Sequence, residues 1–172
     1  MSVAAPLATI PVGVIVERSK AMSQWSDYLW RPSAVLAGQP DTAPWAKLSD
    51  DSDHATFYAG PAQIELYRTE TANYRDNLAT GAPSLWVVLR STGAEPPYQL
   101  YLVTADPAEG EAMTEAGNDI VEQVPMPDAI RDQLAAFVAE HHVEHAFVKR
   151  KRDRANPEAL GRRPKAMPRD EQ

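Results

Sequence analysis

Ile10–Arg18 reads IPVGVIVER, and the placement of its apolar residues decides the fold class. Ile10, Val12, Val14 and Val16 recur at every second position, so in an extended chain all four point to one side. The stretch is therefore expected to be a strand with one buried face. Upstream, residues 1–9 carry no periodicity and read as a leader without regular structure. Downstream, Trp25–Leu36 (WSDYLWRPSAVL) is β-rich, but Pro32 cannot donate to a ladder, which makes it an edge strand or two pieces.

Residues 41–53 (DTAPWAKLSDDSD) read as a loop. Residues 54–60 (HATFYAG) and 62–68 (AQIELYR) read as two short strands turned at Gly60-Pro61. Runs so close together favour an antiparallel meander. Ser84–Arg90 (SLWVVLR) is the most apolar run and suits a central strand buried on both faces. Across the GAEPP turn, YQLYLVT completes a hairpin with it, and residues 118–124 supply a further strand.

Helical spacing intervenes three times. In residues 69–81 (TETANYRDNLATG), Tyr74 and Leu78 lie four apart and Gly81 supplies a stop. Asp106, Pro107 and Glu109 occupy the N-cap, N1 and N3 positions of a capping box. Pro127 and Asp128 open a last helix whose Ile130, Leu134, Phe137 and Val138 form one apolar stripe. The expected class is α+β: a mainly antiparallel sheet of six or seven strands with three helices. The domain spans residues 10–145, with an extended basic C-terminal tail over 146–172.

Composition narrows the function classes. The chain has no cysteine, which excludes disulfides, thiolate metal sites and a thiol nucleophile. No apolar run approaches the roughly 18 residues of a membrane helix, and no basic region precedes an apolar core at the N-terminus, so the cytoplasm is the expected compartment. The net charge of -7 is unevenly shared. Residues 146–172 hold nine Lys/Arg and four Asp/Glu, while residues 1–145 hold eight and twenty. An acidic body carries a basic tail, either as a separate interaction element or folded back on that body.

Three constellations invite a chemical reading. His141, Glu144 and His145 match H-x-x-E-H, in which two histidines hold zinc from one helix face. The third ligand that a zinc peptidase needs would have to come from Glu158 or Glu171 in the tail. A helical projection also puts His141 and His145 in the buried stripe, so the match reads as chance and no metal or other cofactor is expected. Lys149, Arg150, Lys151, Arg152 and Arg154, with Arg162 and Arg163, could neutralise phosphates. Yet the tail after Phe147 has no aromatic residue to stack a base, which favours an acidic protein surface over nucleic acid.

The third constellation is Arg68, Glu70, Tyr74, Arg75, Asp76 and Asn77, within ten residues. It reads as a solvated helix start or as a recognition surface of arginine forks and an amphipathic ring. No partner histidine or nucleophile accompanies it. Trp25, Trp30, Trp45 and Trp86 read as core and edge packing, and no glycine-rich phosphate loop is present.

Taken together, IPVGVIVER, WSDYLWRPSAVL, ELYRTETANYRDNL, PSLWVVLR, IVEQVPMP and HHVEHAFVKRKRDRANPEALGRR resemble one family over residues 10–163. It is a family of small uncharacterised bacterial proteins, typically encoded beside genes for molybdenum- or tungsten-dependent formate dehydrogenases and their maturation factors. The resemblance implies a non-enzymatic accessory or assembly protein whose partner is a molybdoenzyme subunit or maturation factor. It also implies an alternative, an enzyme or carrier in molybdopterin-guanine dinucleotide processing, with Arg68 and Arg75 holding phosphates.

Overall fold

The alternation in IPVGVIVER becomes the innermost strand of the protein. In the computed structural model, which describes residues 4–22, 28–115 and 117–143, β1 spans Ala8–Lys20. Val12, Val14 and Val16 are fully buried and Ile10 nearly so. Each such side chain contributes about 1.5–3 kcal/mol of burial. The strand starts at Ala8, two residues earlier than the apolar pattern indicates, because Ala8 and Thr9 pair with Leu66 and Glu65.

Among the described residues, seven strands and three helices follow the α+β expectation, with the strands in two sheets rather than one. One has the order β2-β1-β4-β3, with β2 at Tyr28–Ala37, β3 at Ala46–Asp51 and β4 at His54–Leu66. The other has the order β6-β5-β7, with β5 at Ser84–Ser91, β6 at Tyr98–Thr104 and β7 at Ile120–Pro125. Every pairing is antiparallel. The β4 strand runs beside β6 and β2 beside β7, so the inner faces enclose a single core.

Two readings of the sequence change here. The chain does not turn at Gly60-Pro61. β4 continues through both as a single strand of 13 residues, and the register against β1 shifts between Val14 and Ile15, where Ala59 is left over as a bulge. Gly60 takes φ 131°, a backbone that glycine adopts without strain. The supposed loop at 46–51 is the edge strand β3. It carries Lys47, Ser49, Asp50 and Asp51 and has no buried face, so no alternation announces it. Since β4 pairs with both β1 and β3, the sheet is not a meander.

Other readings hold. Pro32 sits on the edge strand β2 beside a register shift, and Ser84–Arg90 forms most of the central strand β5 of its sheet. A 3-10 turn at Arg68–Glu70 leads into α1 (Thr71–Ala79). This helix ends because Thr80 turns extended, its hydroxyl donating to the Asn77 carbonyl at 2.8 Å. Gly81 is not in the left-handed region and does not act as the stop. α2 spans Pro107–Thr114 and α3 Asp128–His141, with Ile130, Leu134 and Phe137 buried as read.

Candidate functional site

The polar run Arg68–Asn77 is used mostly to hold the fold together. Asn77 is 3% exposed. Its amide donates to the Ser84 carbonyl at 2.8 Å and the Ala105 carbonyl at 3.0 Å, and its oxygen accepts from the Ser84 N–H at 3.0 Å. One side chain thus ties α1 to the start of β5 and the end of β6. Tyr74 is 1% exposed. Its ring packs edge-on against Phe137 of α3, and its hydroxyl accepts from the Tyr67 N–H at 3.1 Å. Burial pushes the Tyr74 phenol up to about 12.

Arg75 and Thr71 bind the end of α3. The Thr71 hydroxyl donates to the Arg68 carbonyl at 3.1 Å, so its oxygen accepts from His142 Nδ1–H at 3.0 Å. That bond leaves His142 Nε2 as acceptor for the Arg75 guanidinium at 3.0 Å. Asn73 donates to Glu70 at 3.1 Å and to Asp106 at 3.0 Å, joining α1 to the cap of α2. Tyr74 and Asn77 therefore lie inside the protein and cannot offer a ring or an amide to a partner, which corrects the recognition-surface reading for these two. Arg68, Arg75 and Asp76 are exposed and Glu70 is half-buried.

On α2 the chemistry differs. Asp106 caps the helix by accepting from the Ala108 N–H at 2.9 Å, as the sequence indicates. The reciprocal half of the capping box does not form. The Asp106 N–H donates to the Thr104 hydroxyl at 3.1 Å, so Glu109 is released from the backbone. Among the described residues the Glu109 carboxylate has no hydrogen-bond or ion-pair partner. Burial, then the nearby Asp106, Glu65 and Glu70 carboxylates, raise its pKa above the usual glutamate value.

Glu109 faces a groove of about 480 Å³ between the second half of β4 and β6, lined by Ala62, Glu65, Leu102, Tyr101 and Met113 among others. Among the described residues the strand edges on either side of it carry no ladder: β3 pairs with β4 as far as Tyr58, and β6 pairs with β5. Glu65 accepts from the Tyr67 hydroxyl at 2.6 Å, a bond that pushes this phenol up to about 12. On the other flank of α2 a second cleft, of about 410 Å³, holds the half-buried Trp86 between Asp76 and Glu111. Gly110 closes over that indole so tightly that a Cβ there would lie 2.2 Å from Trp86 Cγ.

Comparison with known families finds a match over residues 11–151 to the family described as "Protein of unknown function (DUF3305)". The chain belongs to this family. No curated protein and no solved structure matches it. The match to DUF3305 covers most of the chain, from β1 through α3, so the α1 anchors and the groove both lie within the family region.

The other sequence candidates fall at or beyond the end of α3. His141 is half-buried, its ring 4.6 Å from that of Phe137. The helix ends there, with His142 already extended. No group of three metal-ligating side chains occurs among the described residues. Glu144, His145 and the basic residues Lys149, Arg150, Lys151, Arg152, Arg154, Arg162 and Arg163 lie outside the described residues, as does Trp25. Trp30 and Trp45 are half-buried and meet edge-on at 6.0 Å beside Phe57, as expected of packing.

Glu65 and Glu109 were not legible as site residues, because Glu109 satisfies a capping pattern. One signal pointed to Glu109: residues 91–130 contain eight Asp/Glu and no Lys, Arg or His, and Glu109 lies in the middle of that segment.

Proposed function

We propose that this DUF3305 protein is a cytoplasmic accessory protein that acts by binding a protein partner, in the assembly or regulation of a molybdenum or tungsten enzyme such as formate dehydrogenase. One observation supports the binding reading. Glu109, half-buried and without a partner among the described residues, faces a groove between β4 and β6, whereas the polar residues of α1 are mostly tied into the fold. A partly buried carboxylate without a partner is costly, and a protein that retains one beside open strand edges has a surface suited to another chain. The choice of molybdoenzyme rests on the resemblance of the six sequence segments. The basic residues Lys149–Arg154, Arg162 and Arg163 form a second contact, steering encounter with an acidic surface of the partner.

Co-purification from cells expressing the dehydrogenase tests this. The full-length chain should recover a dehydrogenase subunit or maturation factor in stoichiometric amount, and deletion of Lys149–Gln172 should reduce that recovery. Recovery of neither by the full-length chain contradicts the proposal. Thermal unfolding with nucleotides or molybdopterin-guanine dinucleotide tests the cofactor-processing alternative, since a ligand at 100 times its Kd adds about 2.7 kcal/mol. A shift of that size would move the assignment to the alternative.

A further inference from the structure

We propose that the groove between β4 and β6 binds an extended, lysine- or arginine-bearing segment of a partner protein, with Glu109 and Glu65 receiving its cationic side chains. The inference rests on the partner-binding reading above and identifies the chemistry of what docks on the body.

Charge is the first argument. The groove lies against the part of the chain that runs from residue 91 to 130 without a basic residue, and two carboxylates line it. Glu109 is half-buried and unpaired among the described residues. Among the described residues, Arg90, which stacks on Tyr101 of the lining, is paired with Asp119 instead. An anion would be repelled there, and a neutral segment would leave Glu109 buried more deeply without a partner. A cationic side chain is the occupant that converts this cost into an ion pair.

Shape is the second argument. The groove runs along two strands, so its occupant is elongated. Among the described residues β4 beyond Tyr58 and the outer side of β6 pair with no further strand. On the β4 lip Pro61 has no N–H and the Ala62 and Glu65 carbonyls accept from Gln39 and Tyr74, so it is chiefly the outer edge of β6 that offers main-chain donors and acceptors to an extended backbone. Leu102 and Met113 provide apolar contact for the aliphatic stems of lysine or arginine, which cover apolar surface while the charged head reaches a carboxylate. Met113 is unbranched and adapts to different stems.

The test uses the full chain and a fluorescein-labelled ten-residue peptide alternating arginine with valine, followed by anisotropy. The wild-type chain should bind it, and Glu109→Gln should weaken binding about fivefold, the factor expected for one ion pair at a half-exposed site. Glu65→Gln/Glu109→Gln together should weaken it further. Asp51→Asn/Asp53→Asn, which removes the same charge from the exposed β3–β4 turn, should leave affinity unchanged within twofold. Equal loss in the two double variants would overturn the proposal, since it would show diffuse attraction to an acidic body. Displacement of the peptide by spermine at equal charge, with the same dependence on Glu109, would also overturn it in favour of a small-cation site. Absence of peptide binding in a chain that still co-purifies with its partner would overturn the groove assignment while the accessory function stands.

Discussion

Helices α1 and α2 lie against each other, both polar, and they use their polar residues in opposite ways. On α1, Thr71, Asn73, Tyr74, Arg75 and Asn77 each hydrogen-bond to another element or to the turn before the helix. On α2, the cap is satisfied from within and Glu109 is left facing a groove without a partner. The density of polar residues along the sequence therefore marks the fold's cross-links. A half-buried carboxylate that faces a groove and has no partner among the described residues marks the surface open to a partner.

The largest effect is expected at Asn77. Asn77→Ala strands one N–H and two carbonyls in the interior, each costing about 1–3 kcal/mol when unpaired. A loss of about 4 kcal/mol in urea unfolding is expected, and a loss below about 1 kcal/mol would show that α1 is not anchored through this residue. At Gly110, alanine drives a methyl into the Trp86 ring. Overpacking of this kind costs about 1–3 kcal/mol, read as a lower unfolding midpoint and a changed Trp86 fluorescence.

Tyr74→Phe removes the bond from the Tyr67 N–H and a longer one, 3.5 Å, to the Glu65 carbonyl, and should cost about 1 kcal/mol. The same substitution sharpens a pH effect. The Tyr74 phenol is raised in the folded state, so the unfolded chain loses its proton first, near the ordinary value of about 10. Its contribution to stability is fully present below about pH 10 and is lost as pH rises through the folded value of about 12. Ultraviolet titration of the wild type should show phenols ionising late, and the variant should show one fewer.

The smallest effect falls on α2 and carries the opposite sign. Glu109 has a raised pKa, so the folded state holds the proton more tightly and stability falls as pH rises through that window. Glu109→Gln should therefore be neutral or slightly stabilising at pH 7. The group is half-exposed and solvent screens it, so the gain is below about 1 kcal/mol. It should vanish below the ordinary glutamate value of about 4.3. Loss of stability on this substitution would mean that Glu109 supports the fold after all.

Sequence legibility followed the presence of an apolar pattern. β1, β5 and α3 bury one face or two, and Val12, Leu85 and Ile130 announce them. The edge strand β3 buries almost nothing and owes its conformation to the backbone of β4, so no residue type reveals it. Gly60-Pro61 has the composition of a turn, but the partner β1 continues past it and the glycine absorbs a bulge instead. At the candidate site, Asp106 was legible as a cap because its bond is local. The fate of Glu109 was not, because Thr104 competes for the Asp106 N–H and that competition is settled by the geometry at the end of β6. Tyr74 and Asn77 were misplaced for a related reason, since their partners lie on other elements.

The most direct test of the division between a structural α1 and a partner-facing α2 is the affinity of Glu109→Gln for the arginine–valine peptide, measured on samples whose unfolding midpoint is also recorded. Affinity should be about fivefold weaker with the midpoint unchanged or raised. Affinity equal to wild type, or affinity lost only together with stability, would contradict that division.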